Sequence, residues 1–355
     1  MQASASKTLK RARPATLGAT LAAGAAPAPT DNECLSTLQL ALPIDIENPQ
    51  RAVPYSPNPD CITDIRTQLD VYGFAIVTDV LSAHEVNRAT TLMQQWQATV
   101  PDYSWIHSNL DPHGVHKFHQ VGHQAFAWDI RTNRSVRHVF AGLHGVADAD
   151  NGLVASFDGS CYIAADCAKT DNCWLHTDQA PKLLGRRCIQ GFVSLTTNTS
   201  DGATFVCVPG SHLLHRDYFV ANGLADGSSN FQKIERRHVE ALNPTQRVAL
   251  DVPAGSLVLW DSRTFHQNQY GTAAEERRVQ YVCYLPKDDP GNTEAMRAKR
   301  RQYLADKRTT SHWPYPLRVN GLQGQTFGNA RRKIDYGALV EPDLGPYMAE
   351  IAKLV

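Results

Sequence analysis

Apolar residues along the chain change their spacing several times, and each change marks an element. Val71-Tyr72-Gly73-Phe74-Ala75-Ile76-Val77 alternates as a strand does, successive side chains falling on opposite faces. Ser82-Ala83-His84-Glu85 then reads as a helix start, because Ser82 caps the first turn and Glu85, three residues on, completes a capping box. Leu92, Met93 and Trp96 carry that helix toward Val100, and Pro101 ends it. A second helix is predicted from Ser135 to Leu143, with Val136, Val139, Phe140 and Leu143 on one face. Leu153 to Gly159 reads as a strand and turn.

From Ile189 to Leu285 the pattern is that of an antiparallel β-domain, short apolar runs broken by Gly, Pro, Asn and Asp. Gly191 to Leu195, Thr204 to Val208, Val248 to Val252, Ser256 to Trp260 and Val279 to Leu285 are the predicted strands. Pro209-Gly210-Ser211-His212 reads as a turn, with His212 structural, and Pro253-Ala254-Gly255 as another turn. Many short strands point to a mainly β fold with flanking helices, an α+β chain built on a jelly-roll or double-stranded β-helix of cupin-like form. Beyond Pro286 a charged helix is expected from Thr293 to Asp306, its Lys299-Arg300-Arg301 run a solvated face. No internal repeat is visible.

These elements divide the chain into four parts. Residues 1–30 hold no Asp or Glu and are rich in Ala, Ser, Thr and Pro, the composition of a disordered tail or a processed targeting segment. Residues 31–68 read as an irregular, proline-punctuated arm; 69–286 as the β-helix domain; and 287–355 as a helical and irregular extension packed on that core.

Composition narrows the function by exclusion. The 355 residues carry a formal net charge of zero, which gives no general electrostatic reason to bind nucleic acid or an anionic membrane. No apolar run is long enough to span a bilayer, so a soluble protein is expected, and the scattered cysteines point to a cytoplasmic one. Eight cysteines are scattered without a CxxC pair; Cys161, Cys167 and Cys173 recur every six residues, a weak pattern for zinc, and free thiols are the expectation.

Chemistry concentrates in Trp174-Leu175-His176-Thr177-Asp178-Gln179 and in Trp260-Asp261-Ser262-Arg263-Thr264-Phe265-His266. In an extended segment His176 and Asp178 share one face, an imidazole beside a carboxylate. With His266 they would form a 2-His-1-carboxylate facial triad, the arrangement that binds non-haem Fe(II) and leaves the opposite coordination face open. Alone, His176 and Asp178 fit equally a partly buried histidine held by a neighbouring acid. The aromatic and histidine-rich stretch from 103 to 130 offers Gln120, His123 and Trp128 as pocket residues, with Trp174 beside the triad.

HTD at 176–178, SDGATFVCVPGSH at 200–212, PAGSLVLWDSRTFH at 253–266 and ERRVQYVCYLP at 276–286 together resemble the phytanoyl-CoA dioxygenase-like oxygenases, over about Leu69 to Pro286. The resemblance implies a double-stranded β-helix holding Fe(II) through His176, Asp178 and His266, with 2-oxoglutarate as co-substrate, dioxygen as oxidant, and stimulation by ascorbate. It also implies an arginine clamp for the far carboxylate of 2-oxoglutarate. Arg277 and Arg278 both qualify; if Val279 and Tyr281 face inward, alternation selects Arg277 and turns Arg278 out, and a one-residue slip reverses this. Asn268 is placed to reach the co-substrate or to make a local turn bond. The implied reaction is hydroxylation of a small-molecule metabolite, with succinate and carbon dioxide released. Because related halogenases replace the carboxylate by a small residue, Asp178 favours hydroxylation or desaturation. Oxygenation of a protein side chain or nucleobase, and a catalytically silent binding or sensing module, are the alternatives.

Overall fold

Side-chain parity decides the architecture, because the strands of one sheet are covered on both faces. The structure, a computed structural model, describes residues 51–101, 103, 112–241, 247–324, 330 and 333–355. The tail at 1–30 and the first part of the expected arm lie outside the described residues.

The larger sheet contains β1 (Val53–Pro54), β2 (Phe74–Thr78), β3 (Val115–His116), β4 (Leu153–Ala155), β5 (Ser160–Ile163), β7 (Ile189–Ser194), β11 (Leu257–Asp261) and β13 (Arg277–Pro286). Its order is β1-β2-β11-β7-β13-β5-β3, with β4 paired to β13, and all pairings are antiparallel except β1 with β2. The smaller sheet runs β10-β8-β12-β6-β9, from Val248–Ala249, Phe205–Cys207, His266–Asn268, His176–Thr177 and Gln232–Lys233. Together they make the expected jelly-roll, with flanking helices.

Phe74 and Ile76 of β2, Val258 and Trp260 of β11, Phe192 of β7, and Val279 and Tyr281 of β13 face the smaller sheet, where they meet Phe205 and Cys207. Their neighbours Ala75, Val77, Leu257, Leu259, Val193, Val282 and Tyr284 turn the other way, onto helices carrying Leu69, Met93, Trp96, Phe126 and Phe140. Both faces of the larger sheet are therefore dry. Such strands read as nearly continuous apolar runs, the reason that β11 and β13 stand out in the sequence.

The expected helices form with close to the expected ends. Ala83–Thr99 starts on Ser82, whose hydroxyl accepts from Glu85 N–H at 3.3 Å while the Glu85 carboxylate accepts from Ser82 N–H at 2.8 Å. Arg134–His144 and Glu294–Ala305 follow, the latter capped by Thr293, but Arg300 of the run expected to be solvated is buried, donating to Asn292 Oδ1 at 3.0 Å and the Pro314 carbonyl at 2.7 Å.

Among the described residues five helices escape the sequence reading, the short Arg236–Ala241 one of them. Pro59–Tyr72 occupies part of the stretch expected to be irregular, and the expected strand from Val71 starts only at Phe74. Pro59 sits in the first turn, where its missing N–H costs nothing, and Asn58 caps Asp60 N–H at 3.0 Å, so a proline read as a breaker is a helix start. Ser211–Ala221 replaces the rest of the turn expected at 209–212; its buried face mixes His212 and His215 with Leu214, Tyr218 and Phe219, which disguises the period. Ala125–Arg131 is buried all round, so it has no polar face to betray it, and Met348–Leu354 is short.

Gly73 joins the first helix to the sheet at φ +81°, and its carbonyl accepts from Asp261 N–H at 2.9 Å and Thr264 Oγ1 at 2.8 Å. An added Cβ would lie 2.6 Å from both His212 Nδ1 and Thr264 Oγ1. Gly73→Ala should therefore lower unfolding free energy by more than the roughly 1–2 kcal/mol that left-handed backbone costs a non-glycine residue, read from urea denaturation; an unchanged midpoint would contradict this packing.

Candidate metal centre

Two histidines nearly a hundred positions apart meet because β6 and β12 pair with His176 directly opposite His266. Residues opposite one another on an antiparallel pair project to the same side, and here the imidazole centroids are 4.3 Å apart. Asp178, two residues beyond His176, comes to the same side. Its Oδ1 lies 3.8 Å from His176 Nε2 and its Oδ2 3.4 Å from His266 Nε2. The potential ligand atoms of the three buried side chains all lie within 4.8 Å of one another, the one such metal-ligating group among the described residues.

The surrounding hydrogen bonds leave the right atoms free. His176 Nδ1 donates to the Trp174 carbonyl at 3.1 Å and His266 Nδ1 to the Thr264 carbonyl at 2.9 Å. A carbonyl only accepts, so each proton sits on Nδ1 and each Nε2 lone pair is available to a metal. Gln190, from β7, donates to Asp178 Oδ2 at 3.1 Å. Asp178 N–H reaches the Ser262 carbonyl at 2.9 Å, and Gln179 Oε1 accepts from Ser262 Oγ at 2.9 Å, tying the HTD segment to the turn before β12. Two imidazoles, a carboxylate and an open side fit a 2-His-1-carboxylate iron site.

Electrostatics favour a cation as well. Burial drives the His176 pKa down to about 3, with His266 opposing its protonation further. Burial alone would raise the Asp178 pKa, but His176, His266 and His312 hold it well below the usual carboxylate range. The site thus presents a neutral His176 imidazole beside an ionised carboxylate.

Parity separates the two arginines. Arg277 points inward with Val279 and Tyr281: its guanidinium packs over Phe192 at 5.1 Å and donates through Nη1 to Cys161 Sγ at 3.1 Å. Phe192 in turn packs on Phe205, Trp260 and Tyr281, three residues walling the cavity at the triad. Arg277 is fully buried, yet its Nε and Nη2 have no hydrogen-bond partner. Burying a guanidinium without an anion is costly, so this geometry is suited to a ligand carboxylate. Arg278 instead pairs with Glu276 and Gln97 and lies over Tyr162 at 4.4 Å.

The remaining candidates divide. Asn268 lines the cavity and donates to Tyr281 Oη at 3.0 Å. Trp174 also lines it, its ring stacked between His113 at 3.8 Å and His176 at 4.8 Å and its indole N–H on the Asn268 carbonyl. His123 and Trp128 lie in the helix-side core against Phe157, and His123 Nε2 meets the Arg308 carbonyl at 3.1 Å. Gln120 has a buried, unpaired Oε1 and is not among the residues around the triad cavity. Cys161 is buried in β5, and the three evenly spaced cysteines gather no metal set.

Several wall residues went unnoticed in the sequence. Lys117 and Phe231 come from loops, and His312 from beyond the last strand. Phe231 stacks on His176 at 4.8 Å. His312 lies 3.8 Å from both Asp158 and Asp178; burial opposes its protonation, but the two carboxylates prevail and raise its pKa. No local motif announces any of them.

Among known proteins, a family model described as Phytanoyl-CoA dioxygenase (PhyH) matches residues 69–279. Ava biosynthesis cluster protein O of Aspergillus versicolor is 27% identical over 183 residues, 48% of this chain and 57% of that protein, so the match spans little more than half of that relative's length. Among solved structures, the hypothetical protein JW0805 of Escherichia coli superposes with a TM-score of 0.53 at 10% identity, over 80% of this chain and 87% of that one, a likeness of fold. The epimerase SnoN, solved with Fe3+, alpha ketoglutarate and nogalamycin RO, gives a TM-score of 0.44 at 17% identity over 64% of this chain and 84% of its own.

The depressed His176 pKa has a thermodynamic consequence. The unfolded chain protonates this imidazole near 6.5 and the fold only near 3, so between those values the unfolded state holds the extra proton. Stability of the metal-free protein should fall as pH drops through that window, by up to about 1.4 kcal/mol per pH unit from this residue. Urea midpoints from pH 7.5 to 5 should show a shallower acid loss in His176→Phe than in wild type; identical slopes would count against the burial.

Proposed function

Because this chain belongs to the phytanoyl-CoA dioxygenase family, we propose that it is an Fe(II)- and 2-oxoglutarate-dependent dioxygenase that hydroxylates a C–H bond of a small-molecule metabolite. One observation carries the reading: a His176, Asp178, His266 cluster and a buried guanidinium with unpaired donors, Arg277, stand around the same aromatic wall. A metal set alone would fit many proteins. A metal set with a cation seeking a carboxylate fits a keto-diacid bound across both.

When bound, iron with 2-oxoglutarate would activate dioxygen, the oxidant, one of whose atoms enters the C–H bond as an alcohol while the other enters succinate as the keto acid loses carbon dioxide. The chain's own residues bind and orient. His176 and His266 would give Nε2 and Asp178 a carboxylate oxygen, with the Gln190 amide fixing the carboxylate's rotation. Arg277 would hold the far carboxylate of 2-oxoglutarate, for which a planar two-donor fork is better suited than an ammonium. Trp174, Phe231 and Trp260 screen the site from bulk water. The relative named for a biosynthesis cluster supports a metabolite as the substrate. Among the described residues, no helix is long and apolar enough to cross a membrane.

The test is anaerobic visible absorption on adding Fe(II) and 2-oxoglutarate to metal-free protein. Wild type should develop a weak charge-transfer band, and His266→Ala should lack it. Arg277→Ala should need about a hundredfold more 2-oxoglutarate, the cost of losing a buried charge-assisted pair, whereas Arg278→Ala should stay within about threefold. A band absent from wild type, or equal dependence on the two arginines, would defeat the assignment.

A further inference from the structure

Outside the triad a second cavity, of roughly 210 Å³, adjoins the inner one of roughly 100 Å³. The two share Val115, Lys117, Asp178, Phe231, Tyr281 and His312, so the outer space leads to the metal ligands. Much of its wall comes from residues 310–320, beyond the end of the family match at 279. This strap is firmly seated. Thr310 N–H donates to the Phe157 carbonyl at 2.9 Å, Thr310 Oγ1 accepts from Phe157 N–H at 3.0 Å, and Thr310 bridges to Val319. Trp313 is buried against Cys188 and Cys283, and Arg308 Nη2 donates to the Asn320 carbonyl at 2.9 Å.

The strap also brings charge. Arg318 lines the outer cavity together with Lys117, and among the described residues no carboxylate forms an ion pair with either. The acid in that wall is Asp178, whose charge a bound metal would neutralise. Ser229, Asn230, Ser311 and Asn320 add neutral polar groups. Both residues are exposed, and two cations at the mouth of a partly enclosed space concentrate an anion there. Apolar contact is available beside the triad: Phe231 is 53% exposed although it stacks on His176, and Tyr281 stands in the same wall.

We propose that the substrate is a small carboxylic acid with a flat apolar body, its carboxylate held at Lys117 and Arg318 and its body lying along Phe231 and Tyr281 toward the triad. This rests on the oxygenase reading above. The strap thereby sets which acids enter, and the two cavities have room for a small acid.

The probe is 3-phenylpropionate, titrated by saturation-transfer NMR into full-length protein loaded with Zn(II) and saturated with 2-oxoglutarate, so that Arg277 is already engaged. Wild type should bind the acid at least about tenfold more tightly than 3-phenylpropanamide, and Arg318→Gln or Lys117→Gln should weaken the acid by about tenfold while leaving the amide unchanged. Raised salt should weaken the acid alone. Equal binding of acid and amide, no binding of either, or binding of benzoyl-coenzyme A in place of the free acid would overturn the proposal. The Fe(II) and 2-oxoglutarate band separates the two claims: with the band present and the acid unbound only this inference fails, and with the band absent the oxygenase reading itself fails.

Discussion

The antiparallel pairing of β6 with β12, with His176 opposite His266, is the constraint on which the rest of the site depends. Side-chain direction in a strand reverses with every residue, so a slip of one position in either strand would turn an imidazole to the far face and leave Asp178 without one partner. Hydrogen bonds from outside the pair hold the register. Trp174 N–H donates to Gln267 Oε1 at 3.0 Å and its indole to the Asn268 carbonyl at 2.9 Å, while Asp178 N–H reaches Ser262. The two ligand segments are thus tied on both sides of the histidines.

Around that pair the fold gathers charges that an apolar interior would otherwise refuse. Arg131 places both terminal nitrogens on carbonyls, donating to Gly122 and Asp158 beneath Trp128, and keeps only Nε without a partner. Arg278 takes Glu276. Arg277 meets a thiol, an aromatic face and the nearby Tyr281 hydroxyl, and keeps two donors without a partner. The contrast between adjacent residues of one strand is informative: the structural arginine is satisfied by protein and the ligand-binding candidate is not. The same logic applies at Asp178, whose neighbours hold it ionised in a place where burial favours the neutral acid.

The candidate metal site and the wall of the outer cavity come from different parts of the chain. The candidate metal ligands and both arginines fall within the stretch matched by the family, whereas His312, Trp313, Arg318 and Asn320 come from a strap that follows it. A rigid two-sheet frame can keep one reactive geometry while a peripheral segment changes the shape and charge of the entrance.

What the sequence determined by itself is whatever depends on near neighbours. Alternation put His176 beside Asp178 and separated Arg277 from Arg278; the Ser82 and Glu85 box placed a helix start; apolar runs marked β7, β11 and β13. Each rests on a period of a few residues. Where burial erased the period, the reading failed: Ala125–Arg131 has no polar face, Ser211–Ala221 buries two histidines, and Pro59 begins a helix rather than breaking one. Only the tertiary structure decided that His266 meets His176 and that Trp128 and His123 belong to the core. It alone brought Lys117, Phe231 and Arg318 to one cavity. Those juxtapositions come from packing elements far apart in the chain, and no local rule of backbone geometry encodes a contact between residues that only the closed sandwich brings together.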